Sequence, residues 1–466
     1  MRTIIYLLGF TLIGISLWTY RFFGDVTLDQ ALWTIRFGMQ GVLAADSVYI
    51  RRFITWGFIW PIIFTFIFLT FEWLSSHVYP KKKISSLLSF FILAAGLVYF
   101  SYQYNVLQSI RHSYKPAQDY FALNFTDANK LSFKVRQPKS LVLIYVESLE
   151  ASYANASIFG RDLLQQLTHL PQQQLVFSQF RQVTGTGWTM GGLVATQCAI
   201  PLKSLTIMGN NRVGENIQYF LPNVKCLGDI LAEQGYKNVF MGGASLLIGG
   251  KGKFFENHHY AERIGLDDWL KQGYRASDMN QWGLPDDELL KQAKIKFHEL
   301  MKSKQPFNLT ILTVDTHGVA GQLSPTCKAS GYHDFKGIVE CTSNLVAQFI
   351  NDLIREGALD RVNILVMGDH LAMSNDLNDQ LRMVPDHTIF NLLISSQHFQ
   401  KSSDEIVHFD WLPTILDTLG FQYQTSKLGL GYSAIAKNVF PKNRHTELEA
   451  QLDYDSEFYN QLWIPR

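Results

Sequence analysis

After residue 138, four apolar runs each lead into residues that can hold a cation or attack an electrophile. Glu147 closes SLVLIYVES (140–148), and Gly185-Thr-Gly-Trp-Thr-Met-Gly-Gly192 follows LVFSQF (175–180). Asp315-Thr-His317-Gly ends FNLTILTVD (307–315), and Gly368-Asp369-His370 ends VNILVMGD (362–369). A glutamate, an aspartate and a histidine offer oxygen and imidazole-nitrogen ligands to a divalent cation. A hydroxyl beside such a cation becomes a usable nucleophile, because the nearby charge lowers its pKa. A single acid at a strand end is as often a capping residue as a ligand; the ends taken together are far more specific.

The glycine loop Gly185-x-Gly187-x-x-x-Gly191 departs from a dinucleotide fingerprint. It does not join the first strand to its helix, and it carries Thr189 in its middle. Its expected use is to aim backbone N–H groups at a phosphate while Thr189 heads the following helix.

Such residues need a scaffold that brings strand ends together. The runs named above, with KNVFMGG (237–243) and TIFNLLIS (388–395), read as buried strands. They alternate with the helical segments LGDILAEQG (227–235), DDELLKQAKIKFHELMKS (286–303) and TSNLVAQFINDLIREG (342–357). That alternation predicts an α/β domain with a mostly parallel central sheet, whose chemistry gathers at the carboxyl ends of the strands.

The blocks VLIYVESLEASY (142–153), RQVTGTGWTMGGLVATQCAIPL (181–202), LTVDTHG (312–318) and GDHLAM (368–373) resemble the alkaline-phosphatase/sulfatase superfamily. The first two are most similar to membrane phosphoglycerol transferases that decorate periplasmic glucans, with lipoteichoic acid synthases as more distant relatives. The stretch from Phe409 to Gly420 resembles a structural signature of the same superfamily. The resemblance implies a metal site of Glu147, Thr189, Asp369 and His370, with Thr189 as the nucleophile. It implies one divalent metal, manganese first, with zinc and magnesium as alternatives. It places His317, Trp282 and Lys253 at the substrate, the last two only through loosely matching segments. His258, His259 and His408 are expected to be structural. A sulfatase proper needs Cys or Ser followed by x-Pro-x-Arg. The nearest match, Cys198-Ala-Ile-Pro201-Leu, has the wrong spacing and no arginine, which excludes sulfatase activity.

Only 17% of residues are charged and 47% are hydrophobic, and the aromatic residues crowd toward the N-terminus. Three runs there, Thr3 to Tyr20, Phe53 to Leu74 and Ile84 to Tyr104, are long enough to cross a hydrocarbon layer ~30 Å thick. Arg2 and Lys81 to Lys83 mark cytoplasmic sides, so everything after Tyr104 is expected outside, although Arg51 and Arg52 oppose this arrangement. Between the first two runs, Leu28, Leu32, Ile35 and Met39 recur at helical spacing over 25–46, which predicts an amphipathic helix at the outer interface or packed on the spans. The organisation expected is a membrane anchor over 1–104, a linker over 105–137 and a periplasmic catalytic domain over 138–466. All 4 cysteines lie in that last part. Proximity favours Cys198 with Cys226 and Cys327 with Cys341, with the other pairings open.

The expected protein is a multi-pass enzyme of the bacterial inner membrane. It moves phosphoglycerol from phosphatidylglycerol to a periplasmic or envelope glycan through a glycerophospho-threonine, releasing diacylglycerol. The alternatives are a phosphoethanolamine transferase, a phosphodiester hydrolase of the same fold, and a tethered scaffold without activity. A net charge of +1 gives no basis for nucleic-acid binding.

Overall fold

The structure is a computed structural model. It describes residues 1–24, 26–33, 35, 47–78, 85–112, 118–172, 174–203, 218–437, 440–441 and 444–465. The predicted cytoplasmic lysines Lys81 to Lys83, and Met39 with most of the expected amphipathic segment, lie outside the described residues.

The N-terminal part is helical: α1 (Arg2–Phe23), α2 (Leu28–Trp33), α3 (Ser47–Ile54, a π turn Thr55–Ile59, then Trp60–Val78) and α4 (Ser85–Gln103). Among the described residues two helices, Arg2–Phe23 and Ile50–Ser75, are long and apolar enough to cross a membrane. The third expected span contributes a shorter apolar helix, Leu87–Gln103. Glycines let these helices approach closely. A Cβ built on Gly96 would lie 2.6 Å from the Gly9 carbonyl oxygen, and one on Gly14 would lie 2.0 Å from that of Trp56. Glu72 is buried on this bundle, where Tyr6 Oη donates to it at 2.6 Å and Arg2 stands 3.8 Å away. A partnered acid is what an apolar surround requires.

The remaining chain builds a seven-stranded sheet. Its strands are β1 (Ser140–Val146), β2 (Gln174–Leu175), β3 (Lys237–Gly242), β4 (Glu262–Ile264), β5 (Phe307–Leu312), β6 (Val362–Gly368) and β7 (Asn391–Ile394). The spatial order is β2-β7-β6-β1-β5-β3-β4. The pairs from β6 to β4 are parallel, while β7 runs antiparallel to both neighbours. Central β1 shows why its sequence is an unbroken apolar run. Leu141, Leu143 and Tyr145 enter the core on one face, and Val142, Ile144 and Val146 enter the core on the other.

Helices α5 (Thr189–Cys198), α6 (Leu227–Glu233), α7 (Lys251–Asn257), α8 (Asp286–Lys302), α9 (Phe335–Arg355) and α10 (Trp411–Thr418) cover the faces or flank the sheet. Acids Asp286, Asp287 and Glu288 occupy the first turn of α8 and Lys302 the last, matching the helix dipole. Helix α9 begins earlier than its pattern predicts, because the Asp334 carboxylate caps it by accepting the Gly337 N–H at 2.7 Å. The predicted strand 175–180 is two pieces. Its start is edge strand β2, and Gln179–Arg181 leaves the sheet to pair with Glu405–Val407. Disulfides join Cys198 to Cys226 and Cys327 to Cys341.

Candidate active site at the carboxyl ends of the central strands

Strands β6, β1 and β5 are neighbours, so the residues following them share one end of the sheet. Backbone bonds fix Glu147 there: Thr313 Oγ1 accepts its N–H at 3.0 Å, and Thr316 Oγ1 donates to its carbonyl at 2.6 Å. Ser148 then turns the chain with φ of 56°. A positive φ is costly for serine, and here it is held by two bonds. Ser148 N–H donates to Asp369 Oδ1 at 2.8 Å, and its Oγ donates to Glu147 Oε1 at 2.9 Å.

Glu147, Asp369 and His370 are all buried, and their ligand atoms lie within 4.8 Å of one another. His370 uses Nδ1 to donate to the Leu371 carbonyl at 2.7 Å, which turns Nε2 toward the carboxylates, 3.3 Å from Glu147 Oε1. Asp369 Oδ2 and His370 Nε2 are buried without a well-formed hydrogen bond. The Glu147 carboxyl is opposed by burial, but His317 and His370 hold it well below the usual range. Burial and the Glu147 charge push Asp369 up to about 7. Burial disfavours the His370 imidazolium, yet the two carboxylates raise it to about 9. The cluster therefore calls for positive charge, and its orphaned oxygen and nitrogen are the donor types a divalent cation takes. The residues fit the metal that the motifs imply.

Thr189 is the first residue of α5, and its Oγ1 donates to Glu147 Oε2 at 3.2 Å. The sequence places it there by close backbone approach: a Cβ on Gly192 would fall 1.9 Å from the Asp369 carbonyl oxygen. His408 Nε2 donates to that same carbonyl at 2.8 Å, and burial holds His408 neutral by pushing it down to about 3. His408, expected to be only structural, positions the end of β6.

His317 Nδ1 donates to Glu147 Oε1 at 2.9 Å, and the Trp282 ring meets the imidazole edge to face with centroids 4.3 Å apart. Trp282 is aimed by Asn280, whose Oδ1 accepts the Trp282 and Gly283 N–H groups at 2.8 and 2.9 Å. Asn280 Nδ2 in turn donates to Asp315 Oδ1 at 2.8 Å. Lys253 is not brought to this cluster. It pairs with Glu256 at 2.7 Å on the outer side of α7, and its side chain is 37% exposed. Two residues earlier Lys251 is buried, and its ammonium feels Glu147 and Asp369. The sequence reading gave the segment 251–253 to the substrate and named Lys253 from it; the lysine of that segment that faces the cluster is Lys251. Sequence reasoning also missed Ser148, Thr313, Thr316 and Asn280, although the first three stand inside motifs it used. His258 and His259 both bond Asp229, at 2.8 and 2.7 Å, and buried His258 also packs against Cys226.

Residues 139–421 match the Sulfatase family. The chain is 32% identical over 440 residues to phosphoglycerol transferase I of Shigella boydii, covering 92% of this chain and 55% of that protein. It is 34% identical over 249 residues to phosphoglycerol transferase I of Xanthomonas euvesicatoria, covering 52% of this chain and 35% of that protein. The chain thus spans about half the length, 55%, of the Shigella protein. Among solved structures, the lipoteichoic acid synthase LtaP of Listeria monocytogenes is similar with a TM-score of 0.51 at 16% identity, covering 71% of this chain and 81% of that one. The integral membrane lipooligosaccharide phosphoethanolamine transferase EptA of Neisseria meningitidis is similar with a TM-score of 0.52 at 13% identity. That match covers 90% of this chain and 84% of the other. At these identities the two structures show a shared fold.

Proposed function

The chain belongs to the sulfatase family, and we propose that within it this protein is a membrane-anchored phosphoglycerol transferase acting on phosphatidylglycerol. The single observation that carries the reading is Thr189 at the head of α5, bonded to Glu147 beside the orphaned atoms of Asp369 and His370. The similarity to phosphoglycerol transferase I over most of this chain supports phosphoglycerol as the transferred group. The apolar N-terminal helices support residence in the bacterial inner membrane, with several spans and the catalytic part facing the periplasm. Two disulfides suit that oxidising side.

Glu147, Thr189, Asp369 and His370 would hold one divalent cation, manganese in the first instance. When bound, the cation lowers the hydroxyl pKa of a neighbouring alcohol and offsets negative charge on phosphate oxygens. Thr189 Oγ1 attacks phosphorus and gives up its hydroxyl proton, a P–O bond to Thr189 forms, and the P–O bond to diacylglycerol breaks as that oxygen takes up the proton. A hydroxyl of an envelope glycan then attacks the glycerophospho-threonine, loses its proton, and restores Thr189. His317 keeps Nδ1 on Glu147, leaving Nε2 to exchange a proton with the leaving and attacking oxygens. Lys251 adds positive charge near the phosphate, and Trp282 walls the pocket against His317.

The test is to incubate the purified full chain with labelled phosphatidylglycerol vesicles, manganese and candidate glycans, then to weigh the products. Thr189→Ala should lower diacylglycerol release at least about a thousandfold while the protein stays folded. Retained activity in that variant overturns the proposal. A phosphoethanolamine adduct on Thr189, or free glycerophosphate at a rate indifferent to glycan, would replace it by the corresponding alternative.

A further inference from the structure

The outer ends of the apolar helices are fastened together next to the active site. Gly24 closes α1, its N–H donating to the Tyr20 carbonyl at 3.0 Å, and its own carbonyl accepts from buried Gln103 at the end of α4 at 2.8 Å. Helix α2 then starts with the Leu28 N–H donating to the Tyr104 carbonyl at 3.0 Å. Among the described residues, two close approaches cross from this junction to the catalytic part. A Cβ built on Gly24 would lie 3.1 Å from Ser374 Cβ and 3.3 Å from the Ser374 nitrogen. Gln30 Nε2 donates to the Gly187 carbonyl at 3.5 Å.

Those two points lie on two of the segments that wall the site. Gly187 precedes nucleophile Thr189 by two residues, and Ser374 follows His370 by four. Gln182 stitches the walls to each other: its Oε1 accepts the Leu371 N–H at 2.8 Å, and its amide lies 2.7 Å from where a Gly187 Cβ would be. The same junction carries outward-facing apolar side chains. Tyr102, Leu107 and Ile110 are 77%, 67% and 46% exposed, and Ile35 is 62% exposed. Such exposure on neighbouring turns suits the interfacial layer of a bilayer, where an apolar body is buried and the backbone stays near the headgroups.

We propose that the Gly24 turn and α2 form a seat that holds both walls of the Thr189 site against the outer end of the anchor, so that the site takes its donor as a glycerophospholipid still lodged in the bilayer. The inference rests on the phosphatidylglycerol reading above and adds to it how the donor is selected. A tether alone raises the local concentration of headgroups; a seat also fixes their height and approach to Thr189, which is the larger gain when the substrate moves in a plane. The seat contributes nothing to a small phosphodiester arriving from water, and that difference makes it testable.

The full chain is placed in phosphatidylglycerol vesicles and assayed for two rates: diacylglycerol release from the vesicles, and cleavage of a water-soluble chromogenic ester of glycerophosphate. Gln103→Leu removes the donor that holds the Gly24 carbonyl, and Gln30→Glu sets a carboxylate against the Gly187 carbonyl. Each is expected to lower the lipid rate at least about tenfold, which is about 1.4 kcal/mol of orientation, while the soluble rate stays within about twofold and the melting temperature is unchanged. Proportional loss of both rates would assign these contacts to the internal shape of the site and overturn the inference. Retention of both rates would do so too. A wild type that cleaves the soluble ester but releases no diacylglycerol removes the phosphatidylglycerol reading itself, and the seat's selectivity with it.

Discussion

Gly192 and the Asp369 carbonyl are in direct backbone contact, with room for no side chain: a Cβ on Gly192 would lie 1.9 Å from the Asp369 oxygen. The helix that carries Thr189, the proposed nucleophile, and the strand that leads into Asp369 and His370 are thereby registered to each other by the absence of one carbon. Neither Thr189 nor Asp369 can move toward or away from the other without breaking this approach.

Gly192→Ala should therefore separate Thr189 from the acidic cluster while leaving the fold in place. Relief to an ordinary contact requires a shift on the order of 1.5 Å between α5 and β6. A displacement near 1 Å costs about a hundredfold in rate, and overpacking costs about 1–3 kcal/mol of stability. The measurements are kcat and a chemical unfolding curve. A variant with wild-type kcat would show that the two elements are not held in working register by this contact.

Cation binding should release protons. The ordinary ligand forms are a carboxylate and a neutral imidazole, whereas burial and the Glu147 charge push Asp369 up to about 7 and the carboxylates raise His370 to about 9. Near pH 7 both groups carry protons for much of the time, so manganese affinity should climb with pH and level off above about 9. Calorimetry in buffers of different ionisation enthalpy reads the proton count directly. No proton exchange at pH 7 would contradict the arrangement of Glu147, Asp369 and His370 as ligands.

How much of this was open to the sequence depends on whether a feature is carried by side-chain type or by tertiary contact. The strands showed as β-branched runs because both faces of the sheet are covered, and Glu147, Asp369, His370 and His317 stood out because they interrupt those runs at one end. The division of 175–180 did not show, since pairing of Gln179–Arg181 with Glu405–Val407 depends on residues more than two hundred positions away. Lys253 and Lys251 look alike in sequence. Helical geometry alone decides that one meets Glu256 in water and the other faces inward. Asn280 carried no motif at all, and its role appears only through the N–H groups it receives.

Asn280→Ala should loosen Trp282 against His317. It strands the Trp282 and Gly283 N–H groups and takes one donor from Asp315 Oδ1, with an expected loss of about 1–3 kcal/mol of stability and a raised KM for donor. Asn280→Asp keeps the acceptor for both N–H groups but adds a carboxylate against Asp315, which already stands beside buried Asp286. Burial pushes Asp315 up to about 7, so below that pH it holds a proton it can donate to the new carboxylate. The deficit in melting temperature of this variant should shrink as pH falls from 8 to 6. A deficit that is flat with pH would remove Asp315 from the network.

The basic limb of the pH–rate profile should come from Lys251. Burial lowers this lysine, Glu147 and Asp369 partly support its charge, and the balance stands at about 8. A base whose folded pKa is depressed is charged below that value and neutral above it, so attraction for an anionic donor should fade as pH rises through about 8. A cation on Glu147 and Asp369 takes away part of their support, which sets the limb at or below about 8 in the loaded enzyme. Lys251→Arg keeps its charge across the range and should move the limb upward, and Lys251→Met should lower kcat/KM at pH 7 about tenfold to a hundredfold. Profiles of wild type and Lys251→Arg with the same basic limb would assign it to another group and leave Lys251 as a packing residue.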